Sequence, residues 1–235
     1  WWAPYVVTLA TVGAVCLLAA TFTRDRRAVW LTAWLFVLGD WVGQEYFSPQ
    51  AVAYLLYLVA IALALRVARA KGTRRSTVIA DPEITVLAVL LLVVAIATSH
   101  QITPAMLCVA LLALTATRRA RLGGVSLVAI VVTVAWALWG AADFVVVNVK
   151  MALEGFGSPM ANAEGNLVDT SRISECQALV ALAGRAVVVV IGVLAVVGLV
   201  RVARRDRAAA ITLCVLGAAP MVILATNEFG GEILF

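Results

Sequence analysis

The residues able to do chemistry gather in three places along this 235-residue chain. The first is the run Gly-Asp-Trp-Val-Gly-Gln-Glu-Tyr-Phe-Ser-Pro-Gln at 39–50, which holds Asp40 and Glu45. A carboxylate kept in a dry cleft can take a proton from an acceptor hydroxyl, so both are candidate catalytic acids or bases. Aromatic faces beside carboxylates and amides suit a sugar, which makes Tyr46 a candidate substrate contact. Trp41, Tyr46 and Phe47 fit an interfacial aromatic belt as well, and both readings stand. The second place is Ser-His-Gln-Ile-Thr-Pro at 99–104, where His100 and Gln101 are candidate binding residues. A lone histidine beside a helix start serves as a hydrogen-bonded anchor or as a ligand contact. The third is Arg185, set between Ala-Leu-Ala-Gly and Val-Val-Val-Val, with Arg172 as a weaker companion. An arginine inside an apolar span faces a cavity or a partner, and its planar fork suits phosphate. A snorkelling arginine, or a pair with Glu175 or Asp169, is the structural alternative.

Metal chemistry has little to work with. The chain has one histidine and four cysteines. Cys16, Cys108, Cys176 and Cys214 show no paired spacing, which argues against a disulfide framework or a thiolate centre. No cofactor is implied, although acids on the outer side could hold a divalent cation.

These groups must be positioned by helices. Ser48-Pro49 and Thr103-Pro104 each read as a capping hydroxyl followed by proline at the first helical position. Both helices then run toward an arginine cluster, so both starts direct backbone N–H groups and partial positive charge at one region, a setting that binds phosphate or carboxylate. Two helices also simply need starts.

The composition says what surrounds those helices. Hydrophobic residues make up 64% of the chain and charged ones 13%, with a mean hydropathy of +1.04. Soluble domains carry about 25% charged residues, so an ordinary globular enzyme is excluded and an integral membrane protein is indicated. The fold class is all-α, a polytopic transmembrane bundle of eight helices near 3–22, 28–43, 49–66, 84–101, 104–118, 122–141, 178–200 and 208–226. Most of the basic residues fall in four clusters: Arg24, Arg26 and Arg27; Arg66, Arg69, Lys71, Arg74 and Arg75; Arg118, Arg119 and Arg121; Arg201, Arg204, Arg205 and Arg207. Short basic loops stay cytoplasmic, which puts the acidic segments and both ends of the chain outside. No nucleic-acid partner is expected.

Two spans look short, the second and the fifth. Fourteen residues rise about 21 Å against a hydrocarbon core of roughly 30 Å, a deficit tolerated where the outer end lies beside a cavity. An outward-opening indentation is therefore expected between 40–49 and 100–104, with Asp40, Tyr46, His100 and Arg185 around it. The segment 141–177, with Gly155, Gly157, Pro159, Gly165 and Asn166, reads as an external loop. The whole of 1–235 reads as one integral membrane domain, cut from a longer chain.

Trp-Val-Gly-Gln-Glu-Tyr-Phe-Ser-Pro-Gln at 41–50, the span ending in Arg66, Ser-His-Gln-Ile-Thr-Pro at 99–104 and Asn-Glu-Phe-Gly-Gly-Glu at 227–232 together resemble actinobacterial multi-pass proteins of the GT-C glycosyltransferase type. That resemblance implies a polyprenyl-phosphate-linked sugar donor, a glycan or lipid acceptor, and membrane lipid as partners, with transfer on the non-cytoplasmic face. Such enzymes usually carry their catalytic acid in a first outer loop, which would precede Trp1, so Asp40 stands as a substitute. A transporter or flippase of a lipid-linked or small anionic substrate, and a non-catalytic membrane subunit, are the other readings. The absence of an inverted repeat speaks modestly against transport.

Overall fold

Helix starts are written into the sequence by short polar residues, and most of them cap as their chemistry requires. The computed structural model describes residues 2–39, 48–70, 82–100, 102–116, 122–146 and 174–219. Among these residues all regular structure is helical, with no strand. Six helices come first: α1 (Ala3–Ala19), α2 (Arg26–Gly39), α3 (Pro49–Ala70), α4 (Pro82–Ser99), α5 (Thr103–Ala116) and α6 (Gly123–Trp139). They are followed by α7 (Glu175–Arg205) and α8 (Arg207–Ala218). Each lies at one of the eight ranges expected from the apolar runs. A short helical stretch over 142–146 follows α6.

The ends differ where local capping wins over hydropathy. Asp25 accepts from Arg27 N–H at 2.9 Å and starts α2 two residues earlier than its apolar run. Ser174 and Gln177 close a reciprocal capping box, so α7 begins at Glu175 and runs for 31 residues. Such a box satisfies two backbone donors at once. The far ends of 141–177 are therefore helical where they are described, at 142–146 and from 175 onward. Asp206 ends α7 and caps α8, its Oδ1 accepting from the N–H groups of Ala208 and Ala209 at 3.0 Å each.

The chain divides into two compact units, the division falling inside α2: Trp1–Ala33 with Gln44–Val146, and Trp34–Gly43 with Val147–Phe235. In the first unit α3 is the hub, packed on α1, α4 and α5, while α6 packs on α4 and α5. The face of α3 explains this role. Ala53, Ala60, Ala62 and Ala64 are fully buried, and small side chains let helix backbones approach closely. Short α5 buries the helical stripe Leu107, Ala110, Leu111 and Leu114. The seam between α5 and α6 is also polar. Thr115 and Ser126 hydroxyls meet at 2.9 Å, and Cys108 Sγ lies 3.5 Å from Thr133 Oγ1. In the second unit α7 packs on α8.

Among the described residues two helices are long and apolar enough to cross a membrane, Pro49–Val67 and Glu175–Arg205. The first is half-buried in its own unit, whereas no residue of the most apolar stretch of the second is buried. Along α7 the β-branched run Val187 to Val190 lowers intrinsic helix propensity, so the capping box and the basic residues Arg204 and Arg205 of the last turn matter at its ends.

Candidate functional site

A cavity of about 560 Å³ opens in the first unit, where four helix ends meet. Ser48, Pro49 and Gln50 come from the start of α3, and Thr98 and Ser99 from the end of α4. Pro104 comes from the start of α5, and Thr133, Trp136 and Ala137 from the last turns of α6. The residues just beyond α6, Ala141, Phe144 and Val145, complete the wall. Start, end, start, end: α3 to α6 alternate in direction, and the cavity sits at the end of α3 remote from Arg66.

The cavity is lined by Ser48, Pro49, His100 and Pro104, which belong to the two segments, 40–49 and 100–104, expected to border an indentation; 40–47 and 101 lie outside the described residues. Its polar detail differs from the expected pattern in one respect. Ser48 caps α3 as its type suggests, its Oγ accepting from Ala51 N–H at 3.1 Å. Thr103 does not cap α5. The carbonyl of Ile102 accepts from Met106 N–H at 3.1 Å, so Thr103 already lies in the first turn. The cap is His100. Its Nδ1 accepts from Thr103 N–H at 3.3 Å and lies 2.9 Å from Thr103 Oγ1. The reason is geometric: an imidazole three residues upstream reaches the first helical N–H, which a hydroxyl on the same residue cannot do for its own amide.

These caps consume donors. Of the first N–H groups of α3, Pro49 has none and Ala51 serves Ser48. At α5, Thr103 serves His100 and Pro104 has none. The hydroxyls of the α4 end are turned the same way: Thr98 donates to the carbonyls of Val94 and Ala95 at 3.1 Å each, and Ser99 donates to Ala95. No lysine, arginine, aspartate or glutamate is among the described residues of the wall.

Trp136 is the large aromatic of the cavity and is 41% exposed. Its position depends on Gly140. A Cβ at Gly140 would lie 2.6–2.8 Å from three ring atoms of Trp136, so the indole occupies the space a side chain would need. The φ of Gly140 is −80°, which any residue adopts; the glycine is required by space alone.

The remaining sequence candidates fall elsewhere. Asp40, Glu45, Tyr46, Gln101 and Arg172 lie outside the described residues. Arg185 stands on α7 in the second unit, half-buried and engaged in a polar contact. Its alternative pairing with Glu175 is excluded, because the two are ten residues apart on one helix, about 15 Å along its axis. Among the described residues no three His, Cys, Asp or Glu side chains cluster as a metal site. Trp136, Thr133 and Phe144 were not legible as site residues. They lie within or just after an apolar span, and only its packing against α4 and α5 brings them to the cavity.

Comparison with protein-family models, curated proteins and solved structures finds no match for this chain.

Proposed function

We propose that this chain belongs to a multi-pass membrane protein that takes a polyprenyl-phosphate-linked sugar at its outer face and transfers the sugar to a glycan or lipid acceptor, with the α3–α6 cavity as the ligand site. The observation that carries the reading is the cavity itself. It gathers polar side chains and the aromatics Trp136 and Phe144 at the helix ends remote from the basic loops, which is the side exposed to the outside under the positive-inside rule.

The membrane setting is supported by an inverted distribution of side chains. Leu9, Leu91, Leu138 and Val189 are exposed, Leu138 by 71%, while Thr11, Thr85, Thr103 and Ser126 are buried. A soluble monomer rarely exposes apolar surface on this scale, whereas lipid accepts it. Helices α4, α5 and α6 have 18, 14 and 17 residues, about 27, 21 and 26 Å of rise, so their cavity ends would sit below the level of the headgroups. A lipid-linked ligand would reach such a recess from the bilayer. The transfer chemistry comes from the resemblance of 41–50 and 99–104 to GT-C enzymes, with Asp40 or Glu45 as the acid or base.

The test is transfer of radiolabelled sugar from a polyprenyl-phosphate donor in proteoliposomes of the full-length protein. Asp40→Asn or Glu45→Gln should abolish turnover. Ala137→Leu, which fills the cavity without touching a polar group, should reduce it at unchanged expression. Wild-type protein that transfers nothing but exchanges an anionic solute or lipid by counterflow is a transporter instead.

A further inference from the structure

We infer that two helix corners of this chain hold anionic phospholipid headgroups: Arg24, Arg26 and Arg27 where α1 gives way to α2, and Arg204, Arg205 and Arg207 where α7 gives way to α8. This rests on the membrane setting proposed above, not on sugar transfer, and adds a lipid partner at the basic corners.

The two corners are built alike. The sequence reads Arg-Asp-Arg-Arg at 24–27 and Arg-Arg-Asp-Arg at 204–207, three arginines to one aspartate in each. In both the aspartate caps the next helix. Asp25 Oδ1 accepts from Arg27 N–H at 2.9 Å, and Asp206 Oδ1 accepts from the N–H groups of Ala208 and Ala209 at 3.0 Å each. The acid thus serves backbone amides, and all six arginines are exposed. Their own helices do not call for most of this charge. Arg204 and Arg205 suit the last turn of α7, but Arg26 and Arg27 open α2 and Arg207 opens α8, where the helix dipole disfavours a cation. An anion brought from outside offsets that repulsion through the guanidinium groups, each able to make two parallel bonds to a phosphate.

The neighbouring side chains select the kind of anion. Trp30 and Leu31 follow Arg26 and Arg27 by four residues on α2, and both are exposed. Ile211 follows Arg207 by four on α8, and Val200 precedes Arg204 by four on α7; both are exposed as well. Residues four apart share one face of a helix. Each of these arginines therefore has a large apolar side chain one turn away on its own face. A soluble anion or a nucleic acid would engage the arginines and leave the apolar groups in water. A phospholipid meets both, with its phosphate on the guanidinium and its acyl chains along the apolar side chains. An indole one turn below the charge also stands at the level that tryptophan takes in a bilayer interface.

The experiment places the full-length protein in nanodiscs of equal phosphatidylcholine and phosphatidylglycerol, releases it into detergent, and counts the retained lipids by native mass spectrometry. Phosphatidylglycerol should be retained in about tenfold excess, in chloride buffer and in phosphate buffer of equal ionic strength alike. Arg26→Gln with Arg27→Gln, and Arg204→Gln with Arg207→Gln, should each lower the excess by about fivefold. Arg26→Lys with Arg27→Lys keeps the charge and should keep most of it. Asp25→Asn retains a capping side chain and removes the acid, so it should fold and raise the excess. Equal retention of the two lipids by wild type overturns the inference and leaves the function above intact, as does an excess that neither glutamine pair lowers. If the glutamine pairs do not insert, an Asp25→Asn excess no higher than that of wild type overturns it instead. An excess lost only in phosphate buffer would assign the corners to a soluble anion and overturn it too. Wild type that fails to enter nanodiscs removes the membrane setting and the inference together.

Discussion

His100 Nδ1 accepts the backbone N–H of Thr103 at 3.3 Å, with the Thr103 hydroxyl 2.9 Å away, so one imidazole both starts α5 and forms part of the cavity wall. Loss of a helix cap costs about 1 kcal/mol, so His100→Ala should lower the unfolding midpoint in detergent by about 2–4 °C. Thr103→Val keeps the amide and loses only the hydroxyl, and should cost less. Equal midpoints for wild type and His100→Ala would remove the capping role.

The hydroxyl pair between α5 and α6 makes a second prediction. Thr115 and Ser126 oxygens lie 2.9 Å apart, and Ser126 is 2% exposed. Interhelical polar contacts in membrane proteins contribute about 0.6 kcal/mol on average. A double-mutant cycle of Thr115→Val and Ser126→Ala, read by unfolding in mixed micelles, should return a coupling of about that size. Additive single effects would mean that each hydroxyl serves only its own helix, through Leu111 and Leu122 carbonyls.

Much of the helical layout could be read from hydropathy because an apolar run broken by arginine leaves few alternatives. Helix ends were less legible. Ser174-Glu-Cys-Gln177 is a capping-box pattern in plain view, yet it sits beside a glycine-rich segment whose loop character outweighed it. Thr103-Pro104 reads as a cap by residue type, and only the fold shows the histidine three positions earlier taking that place. The proline-marked starts Ser48-Pro49 and Thr103-Pro104 were legible, and Pro49 and Pro104 line the cavity. Its far wall was not, because Trp136 and Gly140 look like any aromatic and glycine at the end of an apolar span, and their mutual fit exists only in three dimensions.

Orientation is tested by labelling. Cys176 is exposed in the first turn of α7, ahead of the apolar stretch, and the cluster at 201–207 lies at its other end. In a background otherwise free of cysteine, an impermeant maleimide added to intact cells should modify Cys176 and leave Gly72→Cys untouched until the cells are lysed. Labelling of Gly72→Cys alone would invert the topology.

Arg185 carries the last prediction. Along α7 it lies about 15 Å from Glu175 and about 24 Å from Arg201, so under the proposed orientation it would sit in the outer half of the helix. A guanidinium at that depth is costly unless something answers its charge, and one or two turns below the interface it can reach the phosphate of a lipid headgroup through two parallel charge-assisted bonds. Lysine keeps the charge and loses the fork, so Arg185→Lys should raise the KM for a polyprenyl-phosphate donor by about tenfold with a smaller change in kcat. Arg185→Leu should abolish donor use while the protein still reaches the membrane, and its unfolding midpoint should hold or rise because a costly charge has left the span. The two variants separate roles. If Arg185 only pairs with another side chain, Arg185→Leu should unfold more easily and Arg185→Lys should leave the KM unchanged. Full transfer by well-expressed Arg185→Leu would exclude it as a phosphate ligand.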